Sequence, residues 1–190
     1  MDRRLVAIGL CVAAALCLAF AAVSSRWLVN ASAHAELRFG LRSYTECLDA
    51  QCAQISNAEA VDQWRDQERP GGPKLASGAF VPMGWVTFVD LWLIVVGLVG
   101  AAALAALRKQ PQLPIAPSTI ALVGIMIALI SGCVFVATKP GPNGMVGVGL
   151  SFFVFGAGCV IGIAAAQLSA KVNRPADPDL MADAMNPDDY

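Results

Sequence analysis

The chain has 190 residues, a formal net charge of −1 and a mean hydropathy of +0.62. Only 14% of its residues are charged, against about 25% in ordinary soluble domains, so a conventional water-soluble fold and a nucleic-acid partner drawn by bulk charge are both excluded. With one histidine, His34, the chain has no means to build a histidine-rich metal site or to hold haem between two histidines of one subunit; no metal or other cofactor is expected.

In chain order, Arg3 and Arg4 precede 19 uncharged, apolar residues, Leu5 to Val23. A cleaved leader is one option, since Ala19-Phe20-Ala21 resembles a small-x-small site. The uninterrupted run is longer than a usual leader core, so a retained first span over 5–23 is favoured. Leu10 and Leu16 stand directly before Cys11 and Cys17, where a lipoprotein site needs a small residue.

Residues 24–84 form the large polar segment, with six basic and seven acidic side chains. Within it, ELRFGLRSYT (Glu36 to Thr45) alternates partially and predicts one or two short strands. Asn57 to Glu68 has helical composition, and Pro70 to Gly78 reads as a loop. A segment of this size does not build a large core alone and is expected to fold back over the ends of the spans.

The most decisive stretch is Trp85 to Leu107, 23 residues with one charged side chain, Asp90. As a helix it covers roughly 34 Å, enough for a bilayer core of about 30 Å. Arg108 and Lys109 follow, then a proline-rich turn over 110–117. A third span over 118–138 is predicted, with Ser118 or Thr119 as N-cap. KPGPNG (139–144) is a tight turn, and a fourth span follows over 145–168, then Lys171 and Arg174. Residues 173–190 hold three prolines and five aspartates, which predicts a disordered acidic tail. The fold class is therefore all-α: a four-helix transmembrane bundle over 1–172, with a large extracytoplasmic first loop that has room for a small β-sheet. Basic residues near short loops put both termini on the cytoplasmic side of a plasma or inner membrane, and Cys47 and Cys52 then lie where oxidation is permitted.

Lipid chains are as apolar as leucine, so small residues that allow close approach are what bring spans together. Each span offers such residues at four-residue spacing: Ala15 and Ala19; Gly97, Ala101 and Ala105; Gly124, Ala128 and Gly132; Gly158 and Gly162. Some of these faces are also available for contacts between subunits, so the bilayer, other membrane proteins and a second copy are the partners considered.

Three groups compete as chemistry. Cys47 and Cys52 are either a structural disulfide or a redox pair like that of four-span thiol oxidases; the chain has no CxxC and no second cysteine pair in polar sequence, which favours structure. Asp90 is either an interfacial carboxylate paired with Arg26 or Lys139 and flanked by the anchors Trp85 and Trp92, or the lining of a proton or cation pathway in a small transporter or channel component. His34 near Glu36 is read as a solvated loop residue. No nucleophile–base constellation or phosphate loop is present, so no enzymatic activity is expected, with thiol redox chemistry as the alternative.

The layout resembles the claudin superfamily, which includes claudins and the peripheral myelin and epithelial membrane proteins. Four spans, a large first loop, Trp27 after the first span, Gly40-Leu41, the pair Cys47 and Cys52, and Gly149-Leu150-Ser151-Phe152 in the fourth span carry the likeness. Arg42 stands where the family has tryptophan, and the two cysteines are closer together than in the family. The resemblance implies a small outer sheet stapled by Cys47–Cys52, and action by lateral or face-to-face assembly or as an accessory subunit, without catalysis.

Overall fold

The computed structural model describes residues 2–31, 35–48, 51–66, 77–107, 115–140 and 146–172. Helix α1 (Arg3–Val23) is followed by strands β1 (Leu28–Ala31), β2 (Ala35–Phe39), β3 (Ser43–Leu48) and β4 (Gln51–Ser56), then by helix α2 (Asn57–Asp66). Helices α3 (Phe80–Leu107) and α4 (Pro117–Ala137), strand β5 (Gly147–Val148) and helix α5 (Leu150–Val172) complete the described chain. His34, Arg108, Lys109, most of the KPGPNG turn, most of the Pro70 to Gly78 loop and the 173–190 tail lie outside the described residues.

Four helices, α1, α3, α4 and α5, are long and apolar enough to cross a membrane. They form a ring in which α1 touches α3 and α5, and α4 touches α3 and α5. Neighbours run antiparallel. Along α1 and α5, Leu18 meets Gly158 and Ala14 meets Gly162, and Cys11 Sγ lies 3.3 Å from Ser169 Oγ. Both described chain ends therefore sit at one end of the bundle, and the sheet sits at the other.

Glycines mark the closest approaches, as the small-residue spacing predicts. A Cβ on Gly97 would lie 3.0 Å from the Pro117 carbonyl oxygen, and one on Gly124 would lie 2.6 Å from Ile94 Cγ1. At Gly132 the neighbour is the Phe155 ring, at Gly158 it is Leu18, and at Gly162 it is Ile125. At Gly124, Gly132, Gly158 and Gly162 a large apolar side chain from the facing helix fills the space, whereas at Gly97 the backbone of α4 itself comes close.

The sheet is larger than the one or two strands predicted over 36–45. It is five-stranded and antiparallel, in the order β4-β3-β2-β1-β5. Its fifth strand comes from residues assigned by sequence to the fourth span: Gly147 and Val148 pair with Val29 and Leu28, so α5 begins at Leu150 rather than at 145. The second span begins earlier than predicted, at Phe80 rather than 85, because Phe80 and Gly84 are buried against the sheet. At the third span the cap is Ala116, with no side-chain cap bond, and Pro117 takes the first helical position. A proline there sacrifices no hydrogen bond and has the φ a helix needs, so Ser118 and Thr119 fall inside the helix.

Candidate functional site

The most elaborate construction in the molecule is the joint between sheet and bundle, centred on Trp27. The chain leaves α1 at Val23 and must turn into β1 within a few residues. Trp27 fixes that turn. Its indole Nε1 donates to the Ala21 carbonyl oxygen at 2.6 Å, its backbone N–H donates to Phe39 O at 2.9 Å, and its own carbonyl accepts from Gly149 N–H at 2.8 Å. One residue thus ties together α1, β2 and the entry to α5. The ring is fully buried, with centroids of Phe155 at 5.1 Å, Phe135 at 6.0 Å and Phe152 at 6.1 Å. Burying an indole is tolerated because its one polar atom has a partner.

Around this anchor, backbone meets backbone. A Cβ on Gly149 would collide with the Arg26 carbonyl, and one on Gly84 with the Leu41 carbonyl. On Gly40 it would sit 2.9 Å from Ser24 O. These three residues are therefore glycine because no side chain fits between the chain segments. Asn57 Nδ2 donates to Gly40 O at 3.0 Å, and Ser24 and Ser151 share a hydroxyl–hydroxyl bond of 2.5 Å. Leu41 is buried. The adjoining Arg42 lays its guanidinium over α3, 4.0 Å from the Phe88 centroid and 5.4 Å from that of Trp85, a geometry suited to cation–π attraction.

A second aromatic group continues the joint outward. Phe80 stacks on Phe135 at 4.6 Å, Phe39 contacts Phe80, Tyr44 and Trp64, and Tyr44 contacts Trp64. Trp64 thereby pins α2 to the sheet. Burial and the adjacent Glu46 carboxylate, to which the Tyr44 hydroxyl donates at 3.2 Å, push the phenol above its ordinary range.

Cys47 and Cys52 are disulfide-bonded. They face each other in the β3–β4 register, four residues along β3 from Ser43, about 13 Å from the joint by strand rise. The bond staples the outer end of a hairpin. The free cysteines Cys11, Cys17, Cys133 and Cys159 all lie in α1, α4 and α5.

Among the described residues, Asp90 is not ion-paired with either cation that the interfacial reading offered, Arg26 or Lys139. Lys139 Nζ donates instead to Val146 O, at 2.5 Å. Asp90 is 7% exposed, and its Oδ2 is buried without a hydrogen-bond partner among the described residues. Its Oδ1 faces Gly124 of α4, 13 residues before Ala137, or about 20 Å from the sheet end of that helix. One turn away, Thr87 and Ser131 hydrogen-bond across α3 and α4 at 2.9 Å, and Thr87 Oγ1 also reaches Met83 O. Asp90 stands ten residues along α3 from Phe80, or about 15 Å by helix rise.

The structure thus brings together Trp27, Gly40 and Leu41, and leaves Cys47–Cys52 and Asp90 in separate places. Gly149, part of the Gly149-Leu150-Ser151-Phe152 run, also belongs to the joint, and Gly84, Phe135 and Asn57 join it without having been singled out by sequence. No protein-family model matches the chain, and no curated protein matches it.

Proposed function

We propose that the chain is an integral membrane protein of claudin-like build that acts through lateral assembly or as an accessory subunit of a membrane complex. Its termini are cytoplasmic and its sheet faces outward from a plasma or inner membrane. Arg3, Arg4, Arg108, Lys109, Lys171 and Arg174 then share the cytoplasmic side, which agrees with the bias of basic residues toward that side.

The observation that carries this conclusion is the joint at Trp27. Backbone contacts at Gly40, Gly84 and Gly149, together with a buried indole, hold the sheet in one pose relative to the spans. A surface held that way can present one geometry to a neighbour without reordering on contact, and that lowers the entropic cost of association. The motif positions Trp27, Gly40 and Leu41 meet in this joint, which supports treating them as one unit. Arg42, in the place of the family tryptophan, still lays a flat group on Phe88.

Crosslinking in native membranes followed by affinity isolation of the full chain tests the proposal. A discrete partner, or a ladder of its own multiples, is the expected product. A chain recovered only as monomer under conditions that crosslink known neighbours would sink it. Reporter fusions that place residue 190 outside would reverse the orientation.

Asp90 supports a second possibility, a small transporter or channel component. An unpartnered carboxyl group inside a bundle is costly and commonly marks a pathway. Asp90→Asn in liposomes decides it: loss of a proton or cation flux supports transport, and an absence of flux in the native chain removes it.

A further inference from the structure

At the end of the bundle opposite the sheet, the first turn of α1 and the last turn of α5 enclose an open cleft of about 640 Å³. It is lined by Asp2, Arg3, Arg4, Leu168, Lys171 and Val172. We propose that this cleft binds the phosphate-bearing headgroup of an anionic membrane lipid.

The charges are the first reason. Three cations and one carboxylate line the space, and the carboxylate is already engaged, since Asp2 Oδ1 accepts the Arg4 backbone N–H at 3.0 Å as the cap of α1. Arg3 and Arg4 occupy a helix N-terminus, where the backbone dipole is itself positive and favours anions over cations. Their charge is therefore uncompensated by the helix, unlike that of Lys171 at the C-terminal end of α5. A phosphate seated between the two helix ends relieves that local excess and matches arginine's planar donor geometry.

The shape is the second. The volume falls within the about 300–1,000 Å³ range of small-ligand sites and exceeds what a bare phosphate fills. Leu168 lies one turn nearer the membrane centre than Lys171 on the same helix face, and Val172 adds a second apolar wall. The site is thus polar where a span leaves the hydrocarbon and apolar just below. A lipid has that order of groups: headgroup, glycerol, then chain. Lysine and arginine at this level extend toward headgroups while their stems stay among the chains. The proposal rests on the chain spanning a membrane and is independent of how it assembles.

The test uses the full chain reconstituted with phosphatidylglycerol and phosphatidylcholine of matched acyl chains, with retained lipid counted by native mass spectrometry. Phosphatidylglycerol is expected to be enriched over its bulk fraction. Lys171→Gln, which keeps the two arginines that orient the first span, lowers the enrichment about fivefold, the worth of one cation near an anionic headgroup. Leu168→Trp fills the cleft without altering charge and abolishes the enrichment. Retention at the bulk ratio, or enrichment untouched by both substitutions, overturns the proposal. So does displacement of the lipid by millimolar inorganic phosphate, which would make the ligand a soluble anion. Enrichment that appears only after removal of residues 173–190, with their five aspartates, overturns it as well, because the chain would then fill its own cleft.

Discussion

The bundle and the sheet are held together by opposite means. Between spans, most glycine contacts are with a branched or aromatic side chain: Gly124 against Ile94, Gly158 against Leu18, Gly162 against Ile125; Gly97, which meets the Pro117 carbonyl, is the exception. Between sheet and bundle, glycine meets backbone: Gly84 against Leu41 O, Gly149 against Arg26 O. A side chain can shift by a few tenths of an ångström when crowded, whereas a carbonyl already committed to a fold cannot. The spans are therefore packed adaptably at these side-chain contacts, and the joint, like the Gly97–Pro117 crossing, is packed rigidly. The polar groups do not divide the same way: each region leaves one buried oxygen without a partner among the described residues, Asn57 Oδ1 in the joint and Asp90 Oδ2 in the bundle. The Trp27 indole and carbonyl in the joint are both hydrogen-bonded.

The sharpest way to break that contrast is to remove Trp27. Trp27→Ala takes away a fully buried ring and three aromatic contacts, and a loss of about 3–5 kcal/mol is expected. In detergent this reads as a large fall in thermal midpoint and as early proteolysis of the sheet with the spans still protected. Trp27→Phe keeps the ring and loses the bond to Ala21 O, at a cost of about 1–2 kcal/mol. If Trp27→Ala leaves the sheet protected, the joint is not what positions it.

Gly84→Ala comes next. Its new methyl group would press on the Leu41 carbonyl, so about 1–3 kcal/mol of overpacking strain is expected. Gly156→Ala, where a Cβ meets nothing within 4 Å, is the control and should be silent in the monomer. Equal effects at the two positions would erase the distinction between rigid joint and open face. Cys47→Ser is smaller in scope. It opens a short ring worth about 2 kcal/mol or less, and because the pair lies at the hairpin's outer end, only β3 and β4 amides should exchange faster. A change in the exchange of spans would show that the staple reaches further than its register implies.

What the sequence made legible follows from the same contrast. Spans are read from local composition, because lipid demands about 20 consecutive apolar residues, and all four were found. Their ends shifted where they met the sheet. Phe80 to Gly84 looks like loop until Leu41 lies on it, and Gly147–Val148 looks like span until β1 pairs with it. The sheet was underestimated because β4, QCAQIS, is exposed along five of its six residues and so carries no apolar alternation. Asp90 could not be placed because its surroundings come from α4, more than 30 residues on. Pro117 was a legible signal for the start of α4, and Ser56-Asn57-Ala58-Glu59 a legible one for α2.

That last motif gives the smallest expected effect. Ser56 Oγ accepts the Glu59 N–H at 3.2 Å, and Glu59 Oε2 accepts from the Ser56 N–H at 2.9 Å and the Ser56 hydroxyl at 2.8 Å, a reciprocal capping box. The Ser56 backbone and hydroxyl bonds hold the Glu59 carboxyl below its ordinary value of 4.5. A lowered carboxyl stabilises the fold fully above that value and loses the contribution as pH falls through its own lower one. Amides in the first turn of α2 should therefore keep their protection down to about pH 4.5 and fray below it, with the spans unaffected. Glu59→Gln retains an acceptor for Ser56 without titrating, so its α2 should be flat over the same window. Glu36 is also held low, by its bonds to Arg38, but it reports through β2 amides rather than α2. If acid loosens the first turn of α2 in Glu59→Gln as much as in the native chain, the cap is not the titrating element there, and the attachment of α2 depends on the Trp64 contacts alone.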